Sequence, residues 1–234
     1  MRVLADLVFP PSCLSCMRAG ARVLCEPCLA LFPWITEMCA RCGRPVPRPV
    51  LRCADCREPE PAFSVARAPA AYRGVARDVL MSFKLGGERR AARSMAVMMA
   101  RCTRTMSADA LTFVPSSRAS MAERGFNTAH ELARALSKVV RLPNVRLLRK
   151  IRETADQASL DRAGRRVNLA GAFVSAPAPS RVILVDDVMT TGATADACAR
   201  ALRAAGALDV LVVTFARAGD QPGRVPLDLG RPAP

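Results

Sequence analysis

From residue 61 onward two hydrophobic rhythms alternate along the chain. The stretches "FSVARAPAAY" (63–72), "ALTFVP" (110–115), "RVILVDDV" (181–188) and "VLVVTFA" (210–216) are short and apolar without helical spacing, and predict buried strands. Between them, "RGVARDVLMSFKL" (73–85), "ERRAARSMAVMMARCTRTM" (88–106), "NTAHELARALSKVV" (127–140) and "TADACARALRAAGA" (194–207) repeat apolar residues every three to four positions and predict helices. Gly86 and Gly87 part the first two helices. Strands that take turns with helices, and are apolar on both faces, imply an α/β domain with a largely parallel sheet covered on both sides. The last stretch, 218–234, has no period and is expected to be a flexible tail.

Residues 1–60 follow neither rhythm. They hold eight cysteines as four C-x-x-C pairs: Cys13/Cys16, Cys25/Cys28, Cys39/Cys42 and Cys53/Cys56. Two residues between thiolates let one turn present both sulfurs to a tetrahedral ion, so four turns predict two structural Zn²⁺ sites. The short separations favour consecutive pairing, first with second and third with fourth; interleaved pairing is the alternative. A disulfide scaffold would suit an exported chain, and the N-terminal apolar patch is too short for a signal sequence. Cys102 and Cys198 lie in apolar helical stretches and are expected as buried thiols. The Pro-rich "REPEPAF" (57–63) marks the boundary between a zinc module, 1–60, and the α/β domain, 61–217.

In "VILVDDVMTTGAT" (182–194), four aliphatic residues run into two carboxylates and then a loop of threonine, glycine and alanine. Ligands of open parallel sheets lie beyond the carboxyl ends of the strands, where this loop falls. Amides and hydroxyls of Thr190, Thr191, Gly192, Ala193 and Thr194 at a helix start suit a monophosphate. Asp186 and Asp187 would repel that phosphate and suit the hydroxyls of a ribose attached to it. The plainer alternative is a strand end followed by a capped helix. The ATPase pattern G-x-x-x-x-G-K-[ST] is absent from the chain, as is G-x-G-x-x-G after a strand.

This loop resembles the phosphoribosyl diphosphate (PRPP) loop of type I phosphoribosyltransferases. Together with the cysteine pairs, "FKLGGERRAA" (83–92), "ERGFNTAHELA" (123–133) and "LLRKIRETADQASLDRAGRRVNLAGAF" (147–173), the chain resembles the ComF family of competence-associated proteins over residues 8–217. The resemblance implies a type I phosphoribosyltransferase-like domain behind the zinc module. Asp186 and Asp187 would hold the ribose with Mg²⁺, the 190–194 loop the 5′-phosphate, and Arg149, Thr154, Gln157, Arg165 and Asn168 a cover over the diphosphate. Lys84 matches the family's lysine before the glycines and would contact PRPP, and the RGFN signature (124–127) matches as well. Two departures stand out. Ser116 and Ser117 replace the usual apolar residue and histidine that follow the 110–115 strand, offering hydroxyl donors for diphosphate, and Thr128 replaces a glutamine. The lone His130 is expected to pack rather than act as a base.

The net charge of +15, of which +13 falls in residues 61–217, makes polyanions or phosphorylated ligands plausible partners. Eight thiolates with two Zn²⁺ turn the +2 of residues 1–60 into −2. Expected functions are therefore phosphoribosyl transfer from PRPP, or a non-enzymatic DNA-uptake factor that binds single-stranded DNA and works with the competence machinery. Aromatics are 4% of residues; Phe63, Tyr72, Phe83 and Phe126 are candidates for base stacking, with core packing as their other role. No apolar run reaches membrane-spanning length, and a cytoplasmic location is expected.

Overall fold

A computed structural model of the chain describes residues 12–20, 23–57, 60–85, 90–152 and 168–219. The strands are β1 (Val65–Arg67), β2 (Ala70–Ala71), β3 (Ala110–Phe113), β4 (Leu148–Lys150), β5 (Phe173–Ser175), β6 (Arg181–Met189) and β7 (Asp209–Arg217). The helices are α1 (Glu26–Ala30), α2 (Gly74–Leu85), α3 (Ala91–Thr103), α4 (Arg118–Arg124), α5 (Thr128–Val140) and α6 (Ala193–Ala204).

Among the described residues the main sheet runs β1-β7-β6-β3, with β2 also on β7, and each of these pairings is parallel. The long central pair, β6 and β7, holds register from Arg181 opposite Asp209 to Met189 opposite Arg217. Val182, Ile183, Leu184 and Val185 face no solvent, nor do Val210, Val212, Val213 and Phe215. Such unbroken aliphatic runs are stable as strands only where both faces are covered.

Chain direction decides which helix covers which face. The crossover from β1 to β3 travels one way along the sheet and that from β6 to β7 the other, so right-handed connections put α3 and α6 on opposite faces. α3 packs along α5, which lies on β3 and β6, while α6 packs on β5, β6 and β7. All carboxyl ends of the parallel strands therefore open at one rim, where the loop after β6 meets α6.

Three features depart from the sequence expectation. The expected strand 63–72 is two strands, because Pro69 lacks an amide. There the N-terminal module crosses: Ile35 N donates to Pro69 O at 3.0 Å and Ala71 N to Pro33 O at 2.9 Å. "RASMAER" forms α4, started by Ser117, whose hydroxyl accepts from Ser120 N at 3.1 Å, and ended by Gly125 at φ 71. β4 and β5 pair antiparallel, Leu148 opposite Ser175. The residues expected as a diphosphate cover between these two strands, Thr154, Gln157 and Arg165, lie outside the described residues, as does the tail from 220.

The N-terminal module shares the interior of the α/β domain. Phe32 meets Phe215 of β7 edge-on at 6.1 Å between ring centroids. The joint is pinned to α6: Ala62 N donates to Asp196 Oδ1 at 2.6 Å and Arg203 Nε to Ala62 O at 2.5 Å. No described helix is long and apolar enough to cross a membrane.

Candidate functional site

The eight cysteines of the first 56 residues gather as two clusters, Cys13/Cys16/Cys25/Cys28 and Cys39/Cys42/Cys53/Cys56, with the sulfurs of each within 4.8 Å of one another. Pairing is consecutive. A tetrahedron of Zn–S bonds of about 2.3 Å has edges of about 3.8 Å. Observed separations are 3.5 Å for Cys16–Cys25, 3.6 Å for Cys42–Cys53 and 3.8 Å for Cys53–Cys56. They fit that tetrahedron and are far longer than a disulfide bond of about 2.05 Å. Backbone amides point at the sulfurs, Cys25 N to Cys13 Sγ at 3.5 Å and Cys53 N to Cys39 Sγ at 3.2 Å, as thiolate ligands require. A hydrogen bond from Cys56, opposed by burial and aided by the charge of Arg217, brings the Cys42 thiol down to about 4. Both clusters are thus structural zinc-binding sites. Cys198 is fully buried, and burial raises its thiol well above the usual range. Cys102 is half-buried.

At the rim, the two aspartates separate. Alternation along β6 sends them to opposite faces. Asp187 turns toward α2 and α5, where Lys84 Nζ pairs with Oδ1 at 3.0 Å and the Thr128 hydroxyl donates to Oδ2. Asp187 is 7% exposed, so its charge is answered from within the protein. Asp186 turns the other way into a niche of about 20 Å³ that it shares with residues 188–195 and Thr214. Burial, with the Asp187 charge adding to it, pushes the Asp186 carboxyl up to about 8.

The rest of that niche is the turn into α6. Gly192 caps the helix at φ 84, and a Cβ there would come within 2.6 Å of Met189 Cε. Only glycine takes this conformation without strain. Thr191 Oγ1 accepts from Ala193 N at 3.3 Å, Ala193 is buried, and Thr190, Thr191 and Thr194 keep exposed surface. First-turn amides of a helix have no intrahelical acceptor, and the helix dipole adds positive potential there. The niche therefore presents donors to an anion beside a carboxyl whose proton is favoured by burial.

Other expected site residues are placed differently from one another. Lys84 pairs with Asp187. Ser117 is spent on capping α4, its hydroxyl also donating to Ser120 Oγ at 2.9 Å. Ser116 lines a cavity of about 480 Å³ with Phe113, Asn127, His130, Asn144 and Arg146. His130 packs on Phe113, centroids 4.5 Å apart. Asn127 ties the strand end to α5, Nδ2 donating to Val114 O at 3.0 Å and Oδ1 accepting from His130 N at 3.0 Å. Arg149 stands exposed on β4. Phe63, Phe83 and Phe126 are buried and Tyr72 is half-buried.

Sequence reasoning missed Arg217 and Trp34. Arg217, at the end of β7, is 2% exposed and clasps Met189 O at 2.9 Å and Thr190 O. Its signal was an arginine closing an otherwise apolar strand. Trp34 is 39% exposed, with Arg101 4.9 Å over its ring.

Comparison with known proteins bears on these sites. Residues 4–57 match the family model of the double zinc ribbon domain. Competence protein F of Haemophilus influenzae is 28% identical over 225 residues, covering 88% of this chain and 96% of the relative. The DNA utilization protein YhgH of Escherichia coli K12 is 26% identical over 224 residues, covering 90% and 99%. That of Salmonella typhimurium is 27% identical over 204 residues, covering 83% and 90%. Among solved structures, a Thermus thermophilus protein aligns with TM-score 0.34 at 15% identity, over 56% of this chain and 85% of its own. Adenine phosphoribosyltransferase from Leishmania tarentolae aligns with TM-score 0.34 at 15% identity, over 60% and 80%. Superpositions at that level are coarse, and the α/β assignment rests on the strand order and register described above.

Proposed function

From the premise that this chain is a homologue of competence protein F and YhgH that opens with a double zinc ribbon, we propose that it binds PRPP at the 186–194 loop and transfers the phosphoribosyl group to an acceptor. The observation that carries this reading is the shared niche: Asp186, Gly192 and the start of α6 converge at one strand end. The 5′-phosphate would accept hydrogen bonds from the amides and hydroxyls of Thr190 to Thr194. Asp186 would take the ribose hydroxyls, while Asp187, paired with Lys84 and accepting from the Thr128 hydroxyl, keeps the strand end in place.

Asp186 must lose its proton to do this. Affinity for PRPP should therefore climb as pH rises toward about 8. Mg²⁺ carried with the ligand would neutralise diphosphate charge, and the carboxyl oxygens of Asp186 are the hard donors it prefers. In the transfer, the bond from the anomeric carbon to the diphosphate oxygen breaks, that oxygen keeps the electron pair, and the acceptor's lone pair forms the new bond. Arg149 and Arg165 would meet the developing negative charge, with the Ser116 hydroxyl as a further donor.

The test is incubation with PRPP, Mg²⁺ and a panel of nucleobases, following diphosphate. Release that is abolished in Asp186→Asn supports transfer, and no release with any acceptor removes the enzyme reading. A second reading has its own observation. Trp34 is the sole aromatic among the large exposed hydrophobic residues described, and with Arg101 beside it and the net charge of +15 it suits single-stranded DNA. On that reading the chain is a cytoplasmic DNA-uptake factor whose PRPP niche senses ligand without turnover. Quenching of Trp34 fluorescence by oligo-dT would support it, and unquenched fluorescence at low salt would remove it.

A further inference from the structure

Arg217 is the one buried arginine among the described residues. A buried guanidinium is costly unless its donors are matched, and here they are matched from two sides. Nε donates to Cys42 O at 3.1 Å and Nη2 to Cys42 Sγ at 3.7 Å. Nη1 donates to Met189 O at 2.9 Å, to Thr190 O and to Ala218 O at 2.8 Å. One end of a rigid plane thus holds a ligand of the second cysteine cluster, and the other holds the carbonyls that begin the phosphate loop.

The parts around this plane leave little slack. Ala66 N donates to Arg41 O at 2.8 Å, which ties the Cys39/Cys42 turn to β1. Gly43, at φ 65, lies so close to β1 that a Cβ would come 2.5 Å from Ala66 O. Ala218 N donates to Met189 O at 2.9 Å, and the Met189 methyl lies under Gly192. A displacement of Cys42 therefore reaches Met189 and Thr190 through the guanidinium, and Gly192 through Met189. The first cluster contacts other elements. Ser15 Oγ donates to Asp78 Oδ2 at 2.7 Å, Ser82 Oγ to Leu14 O at 3.1 Å and Arg90 Nη2 to Ser12 O at 3.1 Å.

We propose that Arg217 is a positioning residue that couples metal binding at Cys39, Cys42, Cys53 and Cys56 to phosphoribosyl binding at the 190–194 loop, with the first cluster outside the coupling. This rests on the PRPP reading above. Coupling between sites is reciprocal, so a bound ligand holds the second metal as strongly as that metal favours the ligand.

The test follows zinc loss from the full zinc-loaded chain into a chromophoric chelator, with and without saturating PRPP and Mg²⁺. Cys16→Ser, which weakens the first cluster, assigns the phases. PRPP should raise the chelator concentration that removes half of the second zinc about fivefold or more, the lower end of typical site-to-site coupling, and leave that for the first unchanged. Arg217→Lys keeps the charge but cannot span both ends, and its protection should fall below about twofold, under that same range, while calorimetry still registers PRPP. Should this variant fail to fold, the wild-type comparison of the two phases still decides. Binding of PRPP by calorimetry with neither phase shifted, or both shifted equally, overturns the coupling. Absence of PRPP binding to the wild-type chain overturns the ligand reading and the coupling with it.

Discussion

The two cysteine clusters use the same four ligands and the same spacing logic, yet they are built into the molecule differently. The first is clasped to α2 and its flanks by side chains, and Cys16 is exposed. The second is joined to β1 through backbone, to β7 through Arg217, and has no exposed cysteine. Identical metal chemistry can therefore serve local folding in one place and hold a distant loop in another. What separates the two roles is the neighbour of each knuckle.

The largest expected difference comes from removing a ligand on each side. Binding of a structural zinc is worth about 10–16 kcal/mol, comparable to the whole stability of a domain. Cys42→Ser should leave no cooperative thermal transition, whereas Cys16→Ser should keep one for the α/β domain and lose one zinc by elemental analysis. Equal damage from both would erase the distinction. A smaller contrast lies in the knuckle glycines. Gly20 and Gly43 both have positive φ, but nothing lies within 4 Å of a Cβ at Gly20. Gly20→Ala should cost about 1–2 kcal/mol from the left-handed backbone. Gly43→Ala should cost about 1–3 kcal/mol more from overpacking against Ala66. Denaturant midpoints measure both, and matching values would show that the Cys39/Cys42 turn is not tightly docked.

The remaining effects concern the loop that the second cluster supports. Asp187→Asn removes the partner of Lys84 and should destabilise by about 1–3 kcal/mol. Asp186→Asn should do the opposite. Its folded carboxyl is raised to about 8, so the native state holds a proton that the unfolded chain gives up above about 4. That contribution is complete below pH 4 and is lost as pH climbs to 8. At pH 7.5 the Asn variant of the ligand-free protein should melt higher, at roughly 2–4 °C per kcal/mol for a chain of this size, and the gain should vanish near pH 4. Melting curves at both pH values check the sign, and a lower melting point at pH 7.5 would contradict it.

Much of this was legible in the sequence because it is local. C-x-x-C spacing gave two tetrahedral sites, and the apolar run into Asp186 placed a small-residue turn at a strand end. Strand alternation even contained the divergence of Asp186 and Asp187. Non-local partners were not legible. Lys84 is expected to contact PRPP, and only the fold shows that it also pairs with Asp187, 103 positions later. Ser117 is expected as a diphosphate donor, and the fold shows its hydroxyl also accepting from the amide of Ser120, three residues on. Arg217 was hidden because its meaning lies in Cys42, 175 positions earlier.

The central claim is that the turn at Gly192 holds the phosphate of PRPP. Titration calorimetry of the zinc-loaded chain with PRPP and Mg²⁺, beside a Gly192→Val variant, tests it most directly. The valine would force side-chain atoms into the niche and toward Met189 Cε, so wild type should bind and the folded variant should not. Equal heats of binding in the two would place the ligand elsewhere and contradict the account.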